Sequence, residues 1–112
     1  MIEITYRKTG GVTSLTAKGH AGYDDTGRDI VCAAVSALTQ SIAAALAQTG
    51  AESWCLRKGD ELRVIADVTT PSAGGTTQER VAQQVRGAFA VARCGLRMIA
   101  DKYPENVRYT EL

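Results

Sequence analysis

The chain is 112 residues long, 45% apolar and 22% charged, which is one globular domain's worth of protein with a modest core. Thirteen basic against twelve acidic residues leave a formal charge of +1, so no global field draws it to nucleic acid or anionic lipid. Three widely spaced cysteines, Cys32, Cys55 and Cys94, with no CxxC pair, argue against both a disulfide framework and a zinc site.

The chain begins MIEITYRK, which alternates apolar and polar residues and lacks the apolar core of a secretion signal, so a reducing cytoplasm is the expected compartment. Ile2, Ile4 and Tyr6, the turn Thr9-Gly10-Gly11, and then Val12, Leu15 and Ala17 ahead of Gly19 predict a hairpin of two strands. Residues 30–49 follow as a helix. A second hairpin is expected over Glu52 to Val68, turning at Lys58-Gly59-Asp60. The loop PSAGG, Pro71 to Gly75, leads to a long helix over Thr76 to Tyr103.

Thr76 and Glu79 form a capping box at the start of that helix, and Tyr103-Pro104 ends it. Val81, Val85, Phe89, Ala92, Leu96, Ile99 and Tyr103 make its apolar stripe. Gly87 and Gly95 each cost about 1 kcal/mol relative to alanine, for which close approach of a neighbouring helix is sufficient reason. Arg80, Arg86, Arg93 and Arg97 are spread along the same helix, as a solvated face or as a patch for RNA or an acidic protein segment. With only 5% aromatic residues, stacking on single-stranded bases is not expected. Asn106 to Glu111 alternates weakly and reads as a last, edge strand. The whole is a single α+β domain, residues 1–112, in the order ββαββα(β). Two helices pack on one face of a mostly antiparallel or mixed sheet of about five strands.

From Ile30 to Ala51 there is no charged residue. Ser36, Thr39, Gln40, Ser41 and abundant alanine make the run less apolar than a membrane span. A soluble helix without a charged face is covered on most sides. A small domain supplies only a sheet and one other helix, so a two-fold homodimer is expected to cover the rest.

The stretch GHAGYDDTGRDIVCAAVS, residues 19–36, holds the only histidine in the chain. Asp29 is a good N-cap, which places Cys32 in the first helical turn, where backbone N–H groups and the helix dipole favour a thiolate. An ordinary thiol is only a few per cent ionised at neutral pH. A helix terminus commonly contributes about 0.3 to 1 kcal/mol, so a second positive group is needed. His20 supplies one and can later protonate a leaving amine. The eleven residues between them, Ala21 to Val31, contain two glycines and several turn formers, enough for a compact loop whose ends meet. Ser36 lies one turn beyond Cys32 on the same face. Asp29 either orients the histidine or only caps the helix. The polar loop, with Gly22, Tyr23 and Gly27, is placed to fold over a bound peptide.

Other readings of the same residues stand beside this one. Cysteine is among the most often buried residues, so the alternative reading makes Cys32 a core residue of a non-enzymatic module that binds protein or RNA. A redox sensor would suit an ionised thiol but lacks an obvious resolving partner. Cys55 and Cys94 have no histidine to pair with and read as structural.

Gly19-His20-Ala21, Gly27-x-Asp29-Ile30-Val31-Cys32-Ala33 and Val35-Ser36, with the twelve-residue interval from His20 to Cys32, resemble the ribosomal-processing cysteine proteases called Prp. The resemblance implies a Cys-His dyad, with Cys32 the nucleophile and His20 its base and acid, and no metal or organic cofactor. It implies as substrate the N-terminal extension of a large-subunit ribosomal protein. Family members are dimers with two helices on one side of a five-stranded sheet and a cleft between the first helix and the second strand. The reaction so implied passes through a tetrahedral oxyanion, expected to be held by backbone N–H groups at the helix start, and then an acyl-enzyme.

Overall fold

Seven elements follow in chain order: β1 (Ile2–Thr9), β2 (Val12–Lys18), α1 (Ile30–Ala47), β3 (Glu52–Lys58), β4 (Glu61–Asp67), α2 (Gln78–Lys102) and β5 (Val107–Glu111). The computed structural model describes residues 1–69 and 78–112. Thr76 of the expected capping box and the PSAGG loop lie outside the described residues; Glu79 stands in the first turn of α2.

The strands form one sheet in the order β3-β4-β2-β1-β5. β1 pairs antiparallel with β2, setting Ile4 opposite Ala17 and Tyr6 opposite Leu15, and β2 and β3 both pair antiparallel with β4. β5 is an edge strand and runs parallel to β1, with Ile4 opposite Tyr109, so the sheet is mixed. Parallel pairing needs a long return, and α2 provides it.

Period-two alternation puts Ile2, Ile4, Leu15, Ala17, Leu62, Val64, Ala66 and Val107 on one face, all buried. Both helices lie on that face. α1 contributes Val31, Val35, Ile42 and Leu46, and α2 contributes Val81, Val85, Phe89, Ala92 and Leu96. Ile99 and Tyr103 pack partly against this core. Thr39 is the one polar side chain on the buried stripe of α1, and its hydroxyl donates to the Val35 and Ser36 carbonyls at 3.0 and 3.2 Å. That back-bonding satisfies it without a tertiary partner.

By length and composition α1 is apolar enough to cross a membrane, so its polar residues do not decide the matter. In the fold its buried stripe is part of the core. The opposite side of the helix remains open, so within one chain α1 is not covered on most sides. Gly95 has the reason expected of it, since an added Cβ would meet Leu38 Cδ1 of α1 at 2.8 Å. Gly87 does not: open space surrounds it.

Two other expectations need correction. Cys55 and Cys94 are both exposed, so neither fills the core. The arginines of α2 are not one free face. Arg93 grips Glu111 of β5 through Nε and Nη2 at 3.0 and 2.6 Å and lies 4.2 Å over the Tyr6 ring. Arg97 reaches the same carboxylate, and Arg86 pairs with Glu79 at 3.7 Å. The pair Arg93 and Arg97 holds the C-terminal strand against α2. Glu111 is correspondingly held below the usual carboxylate range, by the Arg93 hydrogen bonds first, against partial desolvation.

Candidate active site

Asp29 organises the start of α1. One carboxylate oxygen accepts from the Val31 and Cys32 amides at 3.0 and 2.9 Å, and its carbonyl accepts from Ala33 N at 3.1 Å. The second carboxylate oxygen accepts from the amides of Tyr23 at 3.0 Å and Asp24 at 3.4 Å. Desolvation opposes ionisation here, but hydrogen bonds from the Cys32, Tyr23, Asp24 and Val31 amides outweigh it and hold the carboxyl below its ordinary range. Asp29 therefore does two jobs at once, capping α1 and pinning the loop across it. Both oxygens are occupied by the main chain, so Asp29 is not the orienter of His20. The same bonds leave the helix-start amides of Val31, Cys32 and Ala33 already taken, and an oxyanion held there is not what the geometry offers.

The loop is shaped by Gly22 and Gly27, at φ 67° and 87°, the left-handed region that glycine enters without cost. Tyr23 was expected among the residues facing substrate. Instead its ring packs edge-on against Tyr103, with centroids 5.4 Å apart, so it braces the loop on the end of α2.

His20 leaves β2 through Gly19, whose amide donates to the Asp60 carbonyl in the β3–β4 turn at 3.1 Å. Gly19 has φ 101°, and a Cβ there would lie 2.4 Å from the Met1 carbonyl oxygen, so only glycine fits. Ala21 is buried at 2% exposure. Its amide donates to Cys32 Sγ at 3.3 Å, and its carbonyl accepts from Asn106 Nδ2 at 2.9 Å. Cys32 is half-buried, and His20 is exposed with no hydrogen-bond partner among the described residues.

His20, Cys32 and Ser36 line two cavities. The loop-side cavity, about 380 Å³, is walled by Gly22, Asp24, Thr26, Gly27 and Ala33. The strand-side cavity, about 200 Å³, has an apolar floor of Ile2, Ala17, Val35 and Leu62, with Arg57 and Asp60 at the β3–β4 turn. His20 and Cys32 thus belong to the lining of both spaces. Among the described residues no three His, Cys, Asp or Glu side chains converge to hold a metal.

Of the residues singled out in the sequence, the fold brings Cys32, His20, Ser36, Gly19, Asp29, Gly22 and Gly27 together and turns Tyr23 away. Sequence reasoning missed Ala21, Asn106, Arg57 and Asp60. Ala21 acts through its backbone, and Asn106 is 85 residues away along the chain. Reading Asn106 to Glu111 as a last, edge strand did not say which strand it would stand beside, and the structure sets it next to β1.

Comparison with known proteins points the same way. The family model described as "Cysteine protease Prp" matches residues 1–108. A relative from Mycoplasma pneumoniae, a "Ribosomal processing cysteine protease Prp", is 31% identical over 97 residues, covering 87% of this chain and 85% of that protein. Among solved structures, the ribosomal processing protease Prp from S. aureus bound to a covalently linked product peptide is similar over the whole of both chains. Its TM-score is 0.78 and its identity 21%, a likeness of fold. SMU.848 from Streptococcus mutans covers all of this chain and 94% of its own at 27% identity, with a TM-score of 0.68.

Proposed function

The chain belongs to the Prp family of cysteine proteases, and from that premise we propose that it removes the N-terminal extension of a large-subunit ribosomal protein, with Cys32 as nucleophile and His20 as base and acid. The observation that supports this reading is that His20 and Cys32 line both cavities together, with the residue after His20 donating its amide to the sulfur. His20 is exposed and unbonded, free to turn toward Sγ once a peptide fills the groove; catalytic hydrogen bonds in unliganded enzymes are often formed only then.

His20 takes the thiol proton, and Sγ bonds to the peptide carbonyl carbon while the carbonyl π pair moves onto oxygen. Collapse of that intermediate breaks the C–N bond, and the leaving amine takes the proton from the imidazolium. Water, deprotonated by His20, attacks the acyl-enzyme, and the C–S bond breaks to return the thiol. Cleavage takes place in the cytoplasm, where thiols such as the three free cysteines here stay reduced. Incubating the protein with its host's ribosomal precursor should yield the shortened product. Cys32→Ala and His20→Ala should abolish it while keeping wild-type circular dichroism; undiminished turnover by either folded variant overturns the assignment.

The working form is a homodimer that pairs through the outer side of the helical layer. Val91 and Met98 are each 71% exposed there, on the same side of α2 as Gly87. Beside them a groove of about 180 Å³ runs between Leu38, Ala45, Ala88 and Val91. The charge-free α1 borders that groove, and a second copy laid on it would cover both α1 and the open space at Gly87.

A further inference from the structure

The helix-start amides next to Cys32 are consumed by Asp29, yet a cysteine nucleophile needs a donor for its anion and then for the oxyanion. One amide near the sulfur remains directed at it. Resting on the protease reading above, we propose that the main-chain N–H of Ala21 is the donor that holds the Cys32 sulfur anion and then the oxyanion, and that Asn106 is the positioning residue that fixes this amide in place.

The geometry is a short relay. Ala21 N–H lies 3.3 Å from Sγ, and the carbonyl of the same residue is held by Asn106 Nδ2 at 2.9 Å. Ala21 is thus clamped at both ends. Asn106 is itself held through its backbone: its amide donates to the Tyr103 carbonyl at 2.9 Å and its carbonyl accepts from Ile2 N at 2.8 Å. The anchor therefore rests on the end of α2 and the first residue of β1, not on the exposed loop.

The electron flow suits this donor. When Sγ bonds to the substrate carbonyl carbon, negative charge leaves sulfur and appears on an oxygen two bonds from it. A donor aimed at the sulfur can follow the charge with a small rotation of its acceptor. When the C–N bond breaks, the oxygen returns to a neutral carbonyl and the N–H is released. Donors fixed before reaction are the ones that accelerate it most, and the Asn106 bond supplies that fixation.

Three measurements test the relay. In the wild-type protein, the Ala21 amide proton resonance should titrate with the same midpoint as the pH dependence of Cys32 alkylation by iodoacetamide. In Asn106→Asp, which replaces the donor by an acceptor, and in Asn106→Ala, that alkylation midpoint should move up by about one pH unit, as expected from partial loss of a hydrogen bond to a charged group. On the precursor peptide, kcat should fall about tenfold or more while KM stays within about twofold. A merely structural Asn106 would lower the melting temperature and leave the alkylation midpoint in place. An Ala21 resonance that ignores Cys32 ionisation, or folded Asn106 variants with wild-type midpoint and kcat, overturns the relay while the protease reading stands. Conversely, absence of cleavage by the wild-type protein sinks the protease reading, and with it the oxyanion role. The resonance and alkylation data still decide the sulfur contact, because neither depends on turnover.

Discussion

Gly19 offers the sharpest test of how the site is held, because its cost of substitution can be worked from geometry and checked against an internal control. Gly19→Ala adds a methyl group at φ 101° and 2.4 Å from the Met1 carbonyl oxygen, whereas Gly59→Ala adds one at φ 58° with nothing within 4 Å. Placing a Cβ in the left-handed region costs about 1 to 2 kcal/mol, and the control should lose about that. At Gly19 the same strain is joined by a clash that only backbone movement relieves. Met1 leads directly into β1, and the Gly19 amide is tied to Asp60, so both sides resist. A total of about 3 to 4 kcal/mol follows, of the size reserved for special backbone positions. For a domain of this length each kcal/mol shifts the melting temperature by roughly 5 °C. Scanning calorimetry should therefore put Gly59→Ala roughly 5 to 10 °C below wild type and Gly19→Ala roughly 15 to 20 °C below. Urea midpoints with unchanged slope should rank the three proteins identically. If the two variants melt within about 2 °C of each other, the close approach to Met1 is not what selects glycine at this position.

Two further outcomes follow from the C-terminal clamp and the helical face. Because Glu111 titrates below the ordinary glutamate value of about 4.3 in the folded protein, its contribution to stability is complete above that value and is lost as pH falls through its own, lower one. Stability measured by urea at a series of pH values should show Glu111→Gln weaker than wild type at pH 6 and converging with it below about pH 4; a gap that persists unchanged at pH 3 refutes the clamp. Val91→Glu puts a charge on the proposed dimer face, and sedimentation equilibrium should show a dimeric wild type and a monomeric, folded variant; a dimeric variant moves the interface elsewhere.

Much of the architecture was legible because it depends on patterns that act within a few residues. Alternation in MIEITYRK and in ELRVIADV marked the strands, and the spacing from Val81 to Leu96 marked the buried stripe of α2. Asp29 as N-cap and the return of the loop toward Cys32 were legible for the same reason. What the sequence did not disclose are the meetings between distant segments. Nothing near Arg93 says that its partner is Glu111, eighteen residues on and across a turn, so a gripped pair was read as part of a free basic face. Asp29 was recognised as a cap, but the use of its second oxygen by the Tyr23 and Asp24 amides depends on loop closure, which spacing cannot show. Gly87 and Gly95 look equivalent in sequence, and only the position of Leu38 separates them.

The division of labour at the helix start has a consequence for the chemistry. A bare helix terminus would offer its amides to any nearby anion, but here the Asp29 carboxylate already occupies those of Val31 and Cys32. Those two amides are therefore not directed at the Cys32 sulfur. What remains is the loop's own amide at Ala21 and the imidazole beside it in sequence. Both of these groups arrive on the segment that the same Asp29 side chain holds down through Tyr23 and Asp24. One carboxylate thus takes up the generic donors of the helix end and leaves the Ala21 amide, fixed through its carbonyl by Asn106, as the one directed at the sulfur.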